Sequence, residues 1–246
     1  MINGSKALVT GASRGIGYAI AKALIDNGSQ VVITGRNPVA LESAANALGE
    51  NAHPLVWDAE NLEQTDLLIE QSAAILGGLD MVVNNAGIFA MRSEWDKEGL
   101  LSTTVEEWER VMKINASAVF FTMQAAVKYM KKNGIRGNIL NVSSVAGYEP
   151  VRGAYGASKV TAASLTRGWG RMFADDGITI NGIAPGPVAT KMNHWQEGDP
   201  LENKNIPYGR FTTCDEIAAL AVSLLSVESK MICGETVIMD GAYAIR

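Results

Sequence analysis

Short runs of β-branched and apolar residues alternate along the chain with longer segments in which apolar residues recur at helical spacing. Seven runs predict strands, at residues 7–9, 31–34, 54–57, 81–83, 138–142, 179–182 and 236–239. Six segments predict helices, at residues 16–27, 40–48, 62–76, 105–132, 155–173 and 215–225. This order predicts an α/β fold, a doubly wound parallel sheet of about seven strands with helices on both faces.

The chain has 246 residues, and no repeat, low-complexity tract or linker interrupts this alternation. An α/β chain of this length buries one core, so we expect a single domain over residues 1–246. Two irregular stretches, 88–104 and 185–210, are longer than ordinary connections and contain aromatic residues. We expect them to form the rim of a pocket at the carboxyl ends of the strands, with 185–210 as a substrate lid.

Charge and composition narrow the class of partner. The formal net charge is -5 and no basic run occurs, which argues against nucleic acid and anionic membranes and favours a small-molecule substrate. Two cysteines and two histidines lack metal-ligand spacing, so no metal site is expected. The first strand begins almost at the N-terminus and no apolar stretch is long enough to cross a bilayer, so we expect a cytoplasmic protein.

Tyr155 and Lys159 stand four residues apart in a predicted helix, downstream of the pair Ser143 and Ser144. Residues at this spacing share a helix face, where a lysine cation lowers the pKa of a phenol from its usual value of about 10. A serine hydroxyl upstream would hold a substrate oxygen beside that phenol. The pair alone is more typical of a surface tyrosine and a solvated lysine on an ordinary helix, and the other motifs of the chain reverse this in favour of the chemical interpretation.

A glycine-rich turn, residues 10–17, follows the first strand and opens a helix. Glycines at this position permit a tight turn and close approach to a pyrophosphate, whose charge the helix N-terminus stabilises. The acid that bonds the adenosine ribose in NAD-preferring folds is missing at Gly35, and Arg36 follows. Arg14 would approach from the turn. Two guanidinium groups suit a 2′-phosphate, which predicts NADP(H), although each arginine alone is compatible with a solvated surface.

Together these residues resemble the short-chain dehydrogenase/reductase family, in its compact single-domain Rossmann branch, over nearly the whole chain. The resemblance implies a catalytic set that consists of Asn115, Ser144, Tyr155 and Lys159. The expected cofactor-binding residues are Gly11, Ser13, Arg14, Gly15, Ile16, Gly17, Arg36, Asp58, Asn85, Ala86, Gly87, Tyr155, Lys159, Pro185, Gly186, Val188 and Thr190.

The resemblance also implies a role for each catalytic residue. Tyr155 would exchange the proton of the substrate oxygen while hydride moves to or from the nicotinamide. Lys159 would bond the nicotinamide ribose and keep Tyr155 acidic, Ser144 would orient the substrate, and Asn115 would support a water relay. Family members are often dimers or tetramers, so a homo-oligomer that pairs through 105–132 and 155–173 is expected.

Two departures from the family pattern concern the substrate. The stretch from Gly87 to Asn115 is longer than usual and adds Arg92, Trp95 and Trp108, while the loop from Ser144 to Tyr155 is slightly short. Trp95 and Trp195 are candidates for an apolar pocket wall, and a tryptophan packed on its own loop is the simpler alternative.

Three functions stay open at this level. The first is an NADP(H)-dependent oxidoreductase that interconverts a ketone and a secondary alcohol in either direction. The second is a 3-oxoacyl-[acyl-carrier-protein] reductase, which needs a basic dock for an acidic carrier. Lys131, Lys132 and Arg136 form the one convenient basic cluster, and the neighbouring Asp175 and Asp176 weaken it. The third is a catalytically silent NADP-binding regulator, which the presence of the whole catalytic set disfavours.

Overall fold

The computed structural model describes residues 2–89 and 97–244, so Arg92 and Trp95 lie outside the described residues. Its strands are β1 (Lys6–Val9), β2 (Gln30–Gly35), β3 (Ala52–Val56), β4 (Met81–Asn84), β5 (Asn138–Val142), β6 (Thr179–Pro185) and β7 (Thr236–Met239). Its helices are α1 (Gly15–Asp26), α2 (Pro38–Leu48), α3 (Thr65–Leu76), α4 (Lys97–Leu101), α5 (Val105–Met112), α6 (Ala118–Lys132), α7 (Ala154–Phe173) and α8 (Cys214–Leu225).

The seven strands form one parallel sheet in the order β3-β2-β1-β4-β5-β6-β7. The predicted doubly wound sheet is therefore confirmed. Strands β2 and β3 lie in turn on one side of β1, whereas β4 lies on its other side and is followed by β5, β6 and β7. Because the connections after β1 and β4 leave the sheet in opposite directions, a crevice opens between them at the carboxyl ends of the strands.

Helices cover both faces of the sheet, and successive side chains of β1 pack into the cores on opposite faces. Ala7 and Val9 belong to the core under α1, α2 and α8, whereas Leu8 belongs to the core under α3 and α6. Every residue of β4, β5 and β6 is buried. Strands covered on both faces gain from apolar side chains at most positions, which explains their short apolar runs in the sequence.

One predicted helix differs in the structure. Residues 105–132 form two helices, α5 and α6, separated by a wider π-type turn at Lys113–Ser117 that contains Asn115. The wider turn is only a few residues long and the apolar residues on either side of it still predict a helix, so the sequence pattern alone predicts one continuous helix. Within the described part of the chain, no helix is long and apolar enough to cross a membrane.

Candidate active site

A cavity of about 730 Å³ lies at the carboxyl ends of the strands. Its walls come from the segments that follow β1, β2, β3, β4, β5 and β6, although these segments are far apart in sequence. Every predicted site residue lines the cavity except Gly17 and Asn115. These two residues contact the lining residues Asn85 and Ile88, respectively. The parallel sheet thus brings the glycine turn and the Tyr155–Lys159 pair to one site.

Two glycines allow the turn after β1 to pack directly on the segment after β4. Gly11 has a φ of +65°, and a Cβ there would lie 2.8 Å from Ala86 Cα. A Cβ on Gly17 would lie 2.3 Å from Asn85 Nδ2. Any larger residue at either position would push the two segments apart, because Cβ atoms do not approach neighbours this closely.

Hydrogen bonds hold the same two segments together. Thr10 Oγ1 accepts from the backbone N–H groups of Asn85, at 3.0 Å, and Ala86, at 3.1 Å. Asn85 Nδ2 donates to the carbonyl oxygens of Thr10, at 2.9 Å, and Gly11, at 3.0 Å. Thr10 was not predicted as a site residue, and its side chain fixes the shape of the predicted phosphate cradle.

The half of the cavity beside β1, β2 and β3 fits a dinucleotide. Arg14, the N-cap residue of α1, forms no side-chain capping hydrogen bond with the described residues, so the first N–H groups of this helix suit a phosphate. Thr34 Oγ1 and Trp57 Nε1 are buried without a hydrogen-bond partner among the described residues, and both residues line the cavity. Asp58 is held at the wall because its Oδ1 accepts from the Glu60 N–H at 3.0 Å. A nucleoside supplies both donors and acceptors for such groups.

The end of β2 has the surroundings expected of the adenosine ribose. Arg14 and Arg36 are exposed, line the cavity and form no ion pair within the described chain. A Cβ on Gly35 would meet Ser13 Oγ at 3.5 Å, an ordinary contact. Steric contact with the Cβ atom therefore does not explain why position 35 is a glycine and not an acidic residue.

Tyr155 lies in the first turn of α7, and Lys159 follows one turn later. Lys159 is 6% exposed, and its Nζ donates to the Val142 carbonyl at 3.1 Å. This burial disfavours the charged ammonium and lowers the pKa of Lys159 to about 8. The ring of Phe89 packs against the phenol, with the two ring centres 4.7 Å apart. The tyrosine ring is thereby in contact with an apolar ring and lies near a buried amine, with Lys159 Nζ 5.6 Å from the ring centre.

The two serines after β5 have different partners. Ser143 is buried and its Oγ donates to the Lys159 carbonyl at 2.9 Å, which ties β5 to α7. Ser144 is half-buried, its Oγ accepts from the Ala146 N–H at 3.2 Å, and it lines the cavity. Both serines line the cavity. The hydroxyl of Ser143 is used to hold β5 against α7, whereas the hydroxyl of Ser144 accepts a backbone hydrogen bond at the start of a short turn.

Asn115 connects the segment after β4 to α7. Its Oδ1 accepts from the Ile88 N–H at 2.9 Å and its Nδ2 donates to the Ile88 carbonyl at 2.8 Å. The same Nδ2 donates to Ser158 Oγ at 3.2 Å, and that hydroxyl donates to the Tyr155 carbonyl at 2.7 Å. The side-chain amide of Asn115, in the π-type turn, thus holds the backbone of Ile88 directly and the backbone of Tyr155 through the Ser158 hydroxyl.

Comparison with known proteins agrees with this geometry. A family model described as enoyl-(acyl carrier protein) reductase matches residues 11–244. Gluconate 5-dehydrogenase of Gluconobacter oxydans is 35% identical and covers 99% of this chain and 96% of its own length. The structure of a short-chain type dehydrogenase/reductase from Mycobacterium marinum superposes with a TM-score of 0.89 at 30% identity, covering 100% of this chain and 97% of its own. The chain belongs to the short-chain dehydrogenase/reductase family.

Two further relatives of this short-chain dehydrogenase/reductase differ in their nicotinamide cofactor. An NADP-dependent (R)-specific alcohol dehydrogenase of Lentilactobacillus kefiri is 33% identical over 98% of this chain and 97% of its own. A 3-ketoacyl-(acyl-carrier-protein) reductase from Brucella melitensis, solved with NADH, has a TM-score of 0.89 at 28% identity and covers 100% of both chains. The family binds a nicotinamide cofactor, and its members named here are oxidoreductases of alcohols and ketones.

Sequence reasoning missed several residues of the cavity in this short-chain dehydrogenase/reductase. Phe89, Glu149, Met192, Asn193 and Tyr243 line the cavity, and no local motif marks them. Trp195 was a candidate wall residue, but it does not line the cavity. Its Nε1 donates to the Pro200 carbonyl at 3.3 Å, so the indole packs on its own loop. Trp108 is 43% exposed and is also absent from the cavity wall.

Proposed function

We propose that this protein is an NADP(H)-dependent ketoreductase that interconverts a ketone and a secondary alcohol. One observation carries the proposal: Tyr155, Lys159 and Ser144 share a single cavity with the glycine turn at the N-terminus of α1. When bound, a nicotinamide cofactor supplies or accepts the hydride. The protein contributes position, proton exchange and polarisation of the substrate oxygen.

Each residue of the site has a physical role in this reaction. Tyr155 exchanges a proton with the substrate oxygen, and Ser144 orients that oxygen through its hydroxyl. Lys159 lies with its Nζ 5.6 Å from the centre of the Tyr155 ring, where its positive charge favours the phenolate form. Phe89, packed on the phenol, restricts its motion and excludes water from one face of the ring.

The preference for NADP(H) rests on the residues at the end of β2. Arg14 and Arg36 line the cavity without ion-pair partners among the described residues, and position 35 is a glycine, not an acidic residue. Guanidinium groups form charge-assisted hydrogen bonds with a phosphate, whereas a carboxylate at Gly35 would repel it. These features favour binding of a 2′-phosphate over a plain ribose.

A spectrophotometric assay tests the function. The purified protein is mixed with NADPH or NADH and with ketones, hydroxyketones, keto sugars, steroids and 3-oxoacyl thioesters, and loss of nicotinamide absorbance is followed. We expect ketone reduction that is faster with NADPH and that is lost in Tyr155→Phe. Failure to reduce any carbonyl compound with either cofactor would overturn the proposal.

A 3-oxoacyl-[acyl-carrier-protein] reductase is the second candidate, favoured by the similarity to the Brucella melitensis enzyme. An acidic carrier protein requires a basic dock. In the candidate cluster, Lys131 Nζ donates to Asp176 Oδ1 at 2.6 Å, so part of its charge is neutralised. We therefore expect acyl thioesters presented on the carrier protein to be poorer substrates than small ketones, and a clear preference for the carrier-bound thioester would reverse this order.

We also propose a cytoplasmic homo-oligomer, either a tetramer or a dimer. Apolar side chains are exposed on α5 and α6, with Val105 at 67%, Trp108 at 43% and Phe121 at 37%. A second copy of the chain would cover these side chains, and both cysteines, Cys214 and Cys233, are free thiols as suits a reducing compartment. Light scattering after gel filtration tests the assembly, and a monomer at micromolar concentration would contradict it.

A further inference from the structure

One carboxyl oxygen of Glu149 has no hydrogen-bond partner among the described residues. Glu149 lines the same cavity as Ser144 and Tyr155, and its Oε1 is buried without a hydrogen bond among the described residues. It also forms no ion pair with any described side chain. Glu149 as a whole is half-buried at this wall, and a carboxyl group that is partly removed from water gains from a ligand that supplies a hydrogen-bond donor.

The position of this carboxyl group is tied to the proposed substrate-orienting serine. Ser144 Oγ accepts from Ala146 N–H, and the turn continues with the N–H groups of Tyr148 and Glu149, which donate to the Val145 carbonyl at 2.8 and 3.2 Å. Glu149 therefore extends from the same short turn as Ser144. A substrate whose carbonyl oxygen meets Ser144 would present its adjoining carbons to this part of the wall.

Charges elsewhere in the cavity do not satisfy Glu149. The cationic residues among the described lining residues are Arg14, Arg36 and Lys159. The two arginines lie in the glycine turn and after β2, and Lys159 Nζ donates to the Val142 carbonyl. Among the described lining residues, Lys159 is the cation nearest Tyr155, and no hydrogen bond or ion pair of the described residues joins it to Glu149, so Glu149 offers an acceptor that suits a hydroxyl donor and disfavours an anion.

We propose that Glu149 selects the substrate by accepting a hydrogen bond from a hydroxyl group near the reacting carbonyl. The preferred substrates are then neutral hydroxylated ketones and the corresponding polyols, rather than simple ketones, 3-oxoacyl thioesters or keto acids. This inference rests on the proposed function and names its substrate class. Sites that hydrogen-bond a substrate hydroxyl discriminate strongly against analogues that lack it, because the buried acceptor is left unpaired.

Matched pairs of ketones test the inference. Each pair has a hydroxyl on the first, second or third carbon from the carbonyl in one member and a methyl group in its place in the other. We expect kcat/KM of the wild type for the best hydroxyketone to exceed that for its methyl analogue by about 10²-fold or more. Dimethylamino and carboxylate analogues of the same length complete the panel.

Two variants assign the preference to the side chain. Glu149→Leu should reduce the hydroxyl preference to less than about 10-fold, chiefly by raising KM for the hydroxyketone more than KM for its methyl analogue. Glu149→Gln retains an acceptor oxygen without charge, so it should keep part of the hydroxyl preference and reduce the carboxylate analogue faster than the wild type does. Glu70→Leu, at an exposed position of α3, serves as the control and should leave every ratio unchanged.

The outcomes separate this inference from the proposed function. If the wild type reduces no ketone with either cofactor, both are wrong. If it reduces both members of each pair equally well, or if Glu149→Leu keeps the hydroxyl preference, the role of Glu149 is refuted while the ketoreductase function stands. A wild-type preference for the dimethylamino ketone over the hydroxyketone would show that Glu149 binds a cation, and would also overturn the inference.

Discussion

Lys159 is buried one helical turn beyond Tyr155, with its Nζ 5.6 Å from the centre of the phenol ring and hydrogen-bonded to the Val142 carbonyl. The amine is thus close enough for its charge to act on the phenol, and Lys159 lines the same cavity as Tyr155. This arrangement links the acidity of the proposed catalytic acid to the protonation of a lysine whose own pKa is lowered by burial.

The first prediction concerns the proton donor. Tyr155→Phe removes the phenolic hydroxyl and leaves the ring in contact with Phe89, so the cavity keeps its shape. We expect kcat to fall by about 10²-fold or more, the scale of general acid–base catalysis, while the dissociation constant of NADPH changes little. Tyr129→Phe on α6, away from the cavity, is the matched control. Near-normal turnover in Tyr155→Phe would refute the assignment.

The second prediction concerns the charge of Lys159. Burial lowers the pKa of Lys159 from 10.5, the value of an unperturbed lysine, to about 8 in the folded protein, so between these pH values the unfolded chain binds more protons. The free energy of unfolding therefore contains a component that rises as pH increases from 8 to 10.5, with a slope of at most about 1.4 kcal/mol per unit.

Lys159→Met cannot carry this charge and should lack that component. Urea denaturation of the cofactor-free proteins at several pH values measures the effect. The stability of the variant relative to the wild type should decrease as pH rises from 8 to 10.5, since only the wild type gains. A difference that does not depend on pH would contradict the burial of a titrating amine. Lys159→Ala should also weaken both turnover and NADPH binding.

The third prediction concerns cofactor choice. Each arginine contact with a 2′-phosphate contributes on the order of 1.5–3 kcal/mol, and two contacts should favour NADPH by about 10²-fold after solvent screening. Gly35→Asp combined with Arg36→Ser adds a carboxylate, for which there is room beside Ser13, and removes one guanidinium. We expect the ratio of kcat/KM for NADPH to that for NADH to fall, in part reversing the preference.

Arg167→Ser, on the exposed surface of α7, is the control for loss of one positive charge and should leave the ratio unchanged. A wild-type enzyme that prefers NADH would show that Arg14 and Arg36 do not bind a 2′-phosphate.

The fourth prediction concerns residues 185–210. Met192 and Asn193 of this segment line the cavity, and its one helical element is the short turn Lys191–Asn193. Gly198 and Gly209 adopt positive φ, and the backbone hydrogen bonds of the stretch include those of successive turns, such as the bond from the Asp199 N–H to the Gln196 carbonyl. We expect it to act as a lid that becomes protected from limited proteolysis when NADPH and substrate bind.

Cleavage at the surface loop around Gly134, between α6 and β5, should not respond to either ligand and serves as the internal control. Equal cleavage of 185–210 with and without both ligands would contradict the lid.

The sequence by itself determined the order of strands and helices, the glycine turn before α1 and the spacing of Tyr155 and Lys159. These features are local, because side-chain periodicity and turn residues report backbone geometry over a few neighbouring positions. A resemblance carried by such motifs was enough to predict the family, which the comparisons confirmed.

The tertiary structure alone decided which residues surround the reacting atoms. Phe89, Glu149 and Tyr243 reach one cavity from three distant segments, and Thr10 connects the glycine turn to Asn85. The π-type turn around Asn115 is only a few residues long, and the apolar residues on either side of it still predict a helix, so the sequence did not distinguish it from a continuous helix. Contacts between distant segments depend on how the helices pack against the sheet. A local pattern therefore could not show that Glu149 lines the same cavity as Ser144 and Tyr155.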